Sequence, residues 1–141
     1  MKGNRSFNDL RRNIQTSGAR LLLALPVLMI GNPAQADTAQ DAAGCTAFYL
    51  ANWDLEVAVY APEDRDDTWK RQADGFAAVA RRQGLSRDAI DRVIVVKRAA
   101  YLATIKGYVL RGDALSRKIF TDRADICDKI VKTAPEMGRY R

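Results

Sequence analysis

The chain contains no histidine among its 141 residues. Without an imidazole there is no Ser-His-Asp or Cys-His nucleophile system, none of the commonest zinc ligands and no usual general base near neutral pH. Cysteine is scarce too. Cys45 and Cys127 are the two present, which leaves no C-x-x-C redox motif, no thiolate cluster and no c-type haem attachment. Neither a Walker-type phosphate loop nor a G-x-G-x-x-G fingerprint occurs, and there is no internal repeat. No cofactor and no metal are expected. The longest apolar run, Leu21 to Ile30, is ten residues. As a helix it spans about 15 Å of a hydrocarbon core of about 30 Å, so no permanent membrane anchor is expected.

That short run has a different use. Lys2, Arg5, Arg11, Arg12 and Arg20 precede it with a single acid, Asp9. Behind it come the helix breakers Gly31, Asn32 and Pro33 and the small-residue site Ala34-Gln35-Ala36. A basic head, a short apolar core and an A-x-A site make up a bacterial-type secretory signal, with cleavage between Ala36 and Asp37. The pair Arg11-Arg12 raises the twin-arginine route, but Asn13-Ile14-Gln15 lacks the apolar residues that follow such a pair. Ala42-Ala43-Gly44-Cys45 imitates a lipoprotein site, yet Asp37 and Asp41 lie between it and the apolar run. The expected product is a single domain, residues 37–141, in the periplasm or secreted.

Removing residues 1–36 changes the charge. The signal takes five of the 23 bases and one of the 17 acids, so the net falls from +6 to +2. A nucleic-acid partner therefore loses its electrostatic basis. The remaining charge is unevenly spread. Residues 37–67 hold eight acids and one base, and residues 68–111 hold ten bases and three acids. An acidic first helix lying against basic neighbours accounts for this, as does a basic face offered to an anionic partner.

Two cysteines in an exported chain predict a disulfide, Cys45–Cys127, worth roughly 4–5 kcal/mol in the chain-entropy model. The periodicity predicts an all-α fold: a small antiparallel four-helix bundle with helices at about 41–60, 67–83, 87–111 and 114–133. The first buries Cys45, Phe48, Tyr49, Asn52, Leu55 and Val59 on one face. In the second, Trp69, Ala73, Phe76, Ala77 and Ala80 form the cleanest helical stripe, between an Asp66 or Asp67 cap and Gly84. Ser86 caps the third, whose stripe is Ile90, Val93, Ile94, Tyr101, Ile105 and Tyr108, with a kink expected at Gly107. Gly112 ends it and Asp113 caps the fourth, where Leu115, Ile119, Ile126 and Ile130 recur at helical spacing. Pro135 stops that helix, and the tail from Met137 is expected to fray. In an antiparallel bundle Cys45, near the start of the first helix, and Cys127, near the end of the last, lie at the same end.

The remaining chemistry is weak. Glu63, Asp64, Asp66 and Asp67 lack the spacing, glycine and distal glutamate of a calcium loop. Asp54 and Glu56 form no recognisable acid–base pair with Asp91 or Asp113. Arg81, Arg82, Arg87 and Arg92, with Lys97 and Arg98, surround the turn between the second and third helices; they are the candidate anion face, unless they are a solvated face interleaved with Asp88 and Asp91. Trp53, off the main stripe, is the candidate contact residue.

The stretch Ala80-Arg81-Arg82-Gln83-Gly84-Leu85-Ser86-Arg87-Asp88-Ala89-Ile90-Asp91, with one cysteine well before it and one after, resembles small exported bacterial proteins grouped as domains of unknown function. The run Cys45-Thr46-Ala47-Phe48-Tyr49-Leu50 gives a looser likeness to periplasmic acid-stress chaperones of the HdeA type. The expected function is non-enzymatic: binding of an envelope protein or an anionic surface. The alternatives are a periplasmic stress chaperone and, third, a carboxylate-based hydrolase.

Overall fold

The chain ends its helices with short-range devices that the structure, a computed structural model describing residues 33–140, makes explicit. Four α-helices carry it: α1 (Pro33–Val59), α2 (Thr68–Arg82), α3 (Arg87–Arg111) and α4 (Ala114–Thr133). Two 3-10 turns, Pro62–Asp64 and Pro135–Arg139, complete it, and there is no strand among the described residues. Of the expected export signal, the basic head and apolar run lie outside the described residues. Ala36 and Asp37 fall in the first turns of α1.

Gly84, at φ +100°, closes α2: its amide bonds the Arg81 carbonyl, and the Leu85 amide reaches the Ala80 carbonyl. Two residues later the Ser86 hydroxyl accepts from the Ala89 amide at 3.2 Å and starts α3. The next turn repeats this scheme. Gly112, at φ +67°, ends α3, and the Asp113 carboxylate accepts from the Ser116 amide at 2.7 Å to start α4. In both, a glycine takes the left-handed conformation that a Cβ would penalise, and a side-chain oxygen satisfies an orphan helix donor. At the start of α2, Asp66 accepts from both the amide and the hydroxyl of Thr68, at 2.9 and 2.7 Å. These bonds, with Arg71 nearby, hold its carboxyl below the usual range.

The packing departs from the one-faced first helix expected from periodicity. α1 begins at Pro33 rather than near residue 41, so Cys45 sits in its middle. From Ala42 to Asn52 every residue except Leu50 is buried. α1 packs against α2, α3 and α4, while α2 and α3 barely touch each other. A helix that is covered on all sides needs small residues to let neighbours approach, and Ala39, Ala42, Ala43, Ala47 and Ala51 supply them. Its two buried polar side chains bond within the helix, Thr46 to the Ala42 carbonyl and Asn52 to the Phe48 carbonyl. Val59, expected in the core, is instead exposed, as are Leu115 and Ile119 on α4. The inward side of α4 is carried by Phe120, Ala124, Cys127, Ile130 and Val131.

Rings tie the helices together. Phe48 lies against Tyr49, Tyr101 and Phe120 with centroids 5.1–5.8 Å apart, and Tyr49 continues to Trp69 and Phe76. Burial raises the Tyr49 and Tyr101 hydroxyl pKa above the ordinary value. The disulfide joins Cys45 of α1 to Cys127 of α4, both fully buried, with Cα atoms 5.6 Å apart.

Two glycines serve close approach rather than flexibility. α3 runs through Gly107 without interruption, and the missing side chain there leaves room for α4: a Cβ would meet the Ser116 hydroxyl at 2.4 Å. A Cβ on Gly75 would lie 2.8 Å from the Tyr140 ring and 3.0 Å from the Met137 sulfur. That bare patch of α2 receives the tail expected to fray, and Met137 is buried there.

Candidate binding groove

Beyond Asn52 the last turns of α1 run out of cover, and a groove of about 280 Å³ opens between the C-terminal halves of α1 and α3. Leu55, Val59 and Tyr60 form one wall, and Ile105, Val109 and Leu110 the other. Trp69 of α2 and Phe120 of α4 lie between them. Val59, Tyr60, Val109 and Leu110 are all more than half exposed, so the mouth presents large apolar side chains to solvent. Asn52 and Glu56 are its polar residues.

The rim is held by polar contacts. Arg65 folds back onto the end of α1, its guanidinium donating to the Tyr60 carbonyl at 3.0 Å and the Val57 carbonyl at 2.9 Å. A cation there satisfies two of the last carbonyls and opposes the negative end of the helix dipole. The Glu56 carboxylate accepts from the Asp66 amide at 2.6 Å and ties the acidic loop to α1. Fixed polar edges around apolar walls are the make-up of a pocket that takes another molecule's apolar groups.

No family model, no curated protein and no solved structure matches this chain.

The five candidate contact residues do not share one face. Arg81 and Arg87 line a second groove together with Asp74 and Asp91, so its charges balance, and Arg87 lies 3.9 Å from Asp91. Arg82, one residue from Arg81 and so about 100° round the helix, points to the tail and bonds Glu136. Arg92 is exposed on the outer side of α3. Trp53 is half-buried in a separate hollow with Pro62, Arg65, Asp66, Asp67 and Arg71. Arg98 is held by Asp54 through two bonds, at 2.5 and 2.7 Å, which joins α3 to α1. Arg123 reaches Asp41 at 3.3 Å and lies over the Tyr101 ring, joining α4 to α1. Of the carboxylates weighed for acid–base work, Asp54 is thus spent on Arg98, Glu56 on the loop and Asp113 on its helix cap. Among the described residues no group of three or more acids, cysteines or histidines is placed to hold a metal ion.

The groove mouth was missed because periodicity put Val59 with the core. The available signal was the run of apolar residues past the last core turn on two helices, Val57-Ala58-Val59-Tyr60 and Tyr108-Val109-Leu110.

Proposed function

We propose that this chain is an exported, non-enzymatic helical protein that works by binding, and that the groove takes the apolar side chains of a protein partner in the cell envelope. The observation that carries the reading is the exposed apolar mouth formed by Val59, Tyr60, Val109 and Leu110. Glu56 at the groove and Glu63 and Asp64 in the adjoining loop favour a partner segment with a lysine or arginine beside its apolar residues. The same reading takes residues 1–36 as a signal removed before Asp37, the helices as alternating in direction, and the periplasm or exterior as the oxidising space in which Cys45 and Cys127 join.

Cross-linking in intact cells tests it, comparing the wild type with Leu110→Asp and with Arg92→Glu. A partner held by the wild type and by Arg92→Glu, but lost with Leu110→Asp, supports the groove. Equal capture by all three, or turnover of an envelope substrate that one carboxylate substitution abolishes, defeats the reading.

One observation favours the stress-chaperone reading. Single carboxylate–guanidinium pairs, Asp54–Arg98, Asp41–Arg123 and Glu136–Arg82, join α3 to α1, α4 to α1 and the tail to α2. Strong acid that breaks all three pairs would expose apolar surface. Acid-induced dye binding with suppression of client aggregation supports it, and a bundle that stays closed and inert there excludes it.

A further inference from the structure

α3 is apolar on two sides, and one of them is uncovered. Its inner side carries Ile90, Ile94, Tyr101 and Ile105 toward the core. On its outer side Val95 and Val96 are 79% and 75% exposed, and Ala99, Ala100 and Ala103 beside them are exposed as well. Between Arg92 and Lys106 the strip carries no charge for three turns. Helices apolar all round are normally covered all round, and an exposed aliphatic strip bounded by charges marks a surface that packs on something.

We infer that this strip pairs with the same strip of a second copy, α3 against α3 in antiparallel orientation. The layout along the helix is what points to a second copy. Bulky residues, Val95 and Val96, occupy the N-terminal half of the strip, and small ones, Ala99, Ala100 and Ala103, the C-terminal half. A two-fold axis between Val96 and Ala99 sets each valine against an alanine of the other chain, and Arg92 against Ala103, so both halves of the contact are large against small. The same axis brings Asp88, at the N-terminal end, within one residue of Lys106, at the C-terminal end, twice over. Neither Asp88 nor Lys106 has an ion-pair partner among the described residues. A contact made by one patch with itself must be complementary under that rotation, a condition no unrelated partner imposes. The helix dipoles oppose each other in this orientation, which adds to the attraction. This inference rests on the outer side of α3 and is independent of the groove.

From Asp88 to Lys106 the strip is about 27 Å long and about 10 Å wide, a few hundred Å² per copy, less than a stable specific interface buries. A weak dimer follows, with a dissociation constant of roughly 10–100 µM. Sedimentation equilibrium on the native protein, from about 1 to 500 µM, reads this directly. The wild type moves from one chain to two across that range. Val96→Glu stays at one chain. Asp88→Lys and Lys106→Glu each weaken association roughly threefold to tenfold, and the double exchange brings it back. All these positions lie on the outer side of the helix, so an unchanged helical spectrum and melting temperature verify that each variant is folded. A wild type of one chain throughout, a Val96→Glu variant that dimerises as tightly, or a double exchange that fails to restore the dimer overturns the inference.

Discussion

Replacing both Cys45 and Cys127 by alanine cuts the covalent tie between α1 and α4 while leaving small apolar groups in two fully buried positions. The cysteines are 82 residues apart, and the loop-entropy relation for that length gives about 15 cal/mol/K, or about 4.5 kcal/mol at room temperature. A domain of this size has a total stability of about 5–10 kcal/mol, so the variant keeps roughly half of it or less. With an unfolding entropy near 2.1 cal/mol/K per residue, the melting point falls by about 20 °C. Urea titration of the wild type and the double variant measures the difference, and circular dichroism verifies that the variant remains helical. Because the effect is on the unfolded chain, the variant also unfolds with a steeper dependence on urea, having more surface to expose. A loss below about 1 kcal/mol refutes the reasoning: it would mean that the unfolded chain already holds α1 and α4 together without the bond.

Two further outcomes follow from the geometry. Glu136 is bonded by Arg82 and by its local backbone, which hold its carboxyl below its ordinary value of 4.5. A depressed native pKa means that the unfolded chain binds the proton more readily, so this contact contributes stability above pH 4.5 and loses it as the pH falls through the native value. Glu136→Gln therefore flattens the acid limb of a stability–pH curve, and an unchanged curve would show that the tail does not depend on this contact. Gly107→Ala gains about 1 kcal/mol of helix propensity but costs about 1–3 kcal/mol by forcing α3 away from Ser116. The expected net effect is a loss of about 1 kcal/mol in urea titration, and a more stable variant would remove the close-approach account of that glycine.

The turns were legible from local chemistry. Gly84 with Ser86, and Gly112 with Asp113, act through dihedral angles and bonds spanning a few residues, so the residues themselves carry the information. The Cys45–Cys127 bond was legible for another reason: two cysteines in a chain read as exported leave one pairing. Helical period shows which side of a helix is apolar, but not how many neighbours it meets. That is why α1, with alanines on its remaining sides, looked one-faced and proved to be covered all round. It also misassigned Val59, Leu115 and Ile119, which continue an apolar stripe but stay exposed.

The amino-acid sequence on its own determined four helices, the turns between α2, α3 and α4 and the covalent link, because each depends on backbone stereochemistry or on bond-forming groups with no alternative. Tertiary structure alone decided the dispersal of the arginines, since Arg81 and Arg82 differ by a rotation that matters only once α2 has neighbours. It alone decided the pairs Asp54–Arg98 and Asp41–Arg123, whose members lie 44 and 82 residues apart. It also decided the apolar groove and the docked tail. Each of these requires surfaces from separate helices to meet, and which surfaces meet is settled by shape and volume summed over the whole core rather than by any one stretch of chain.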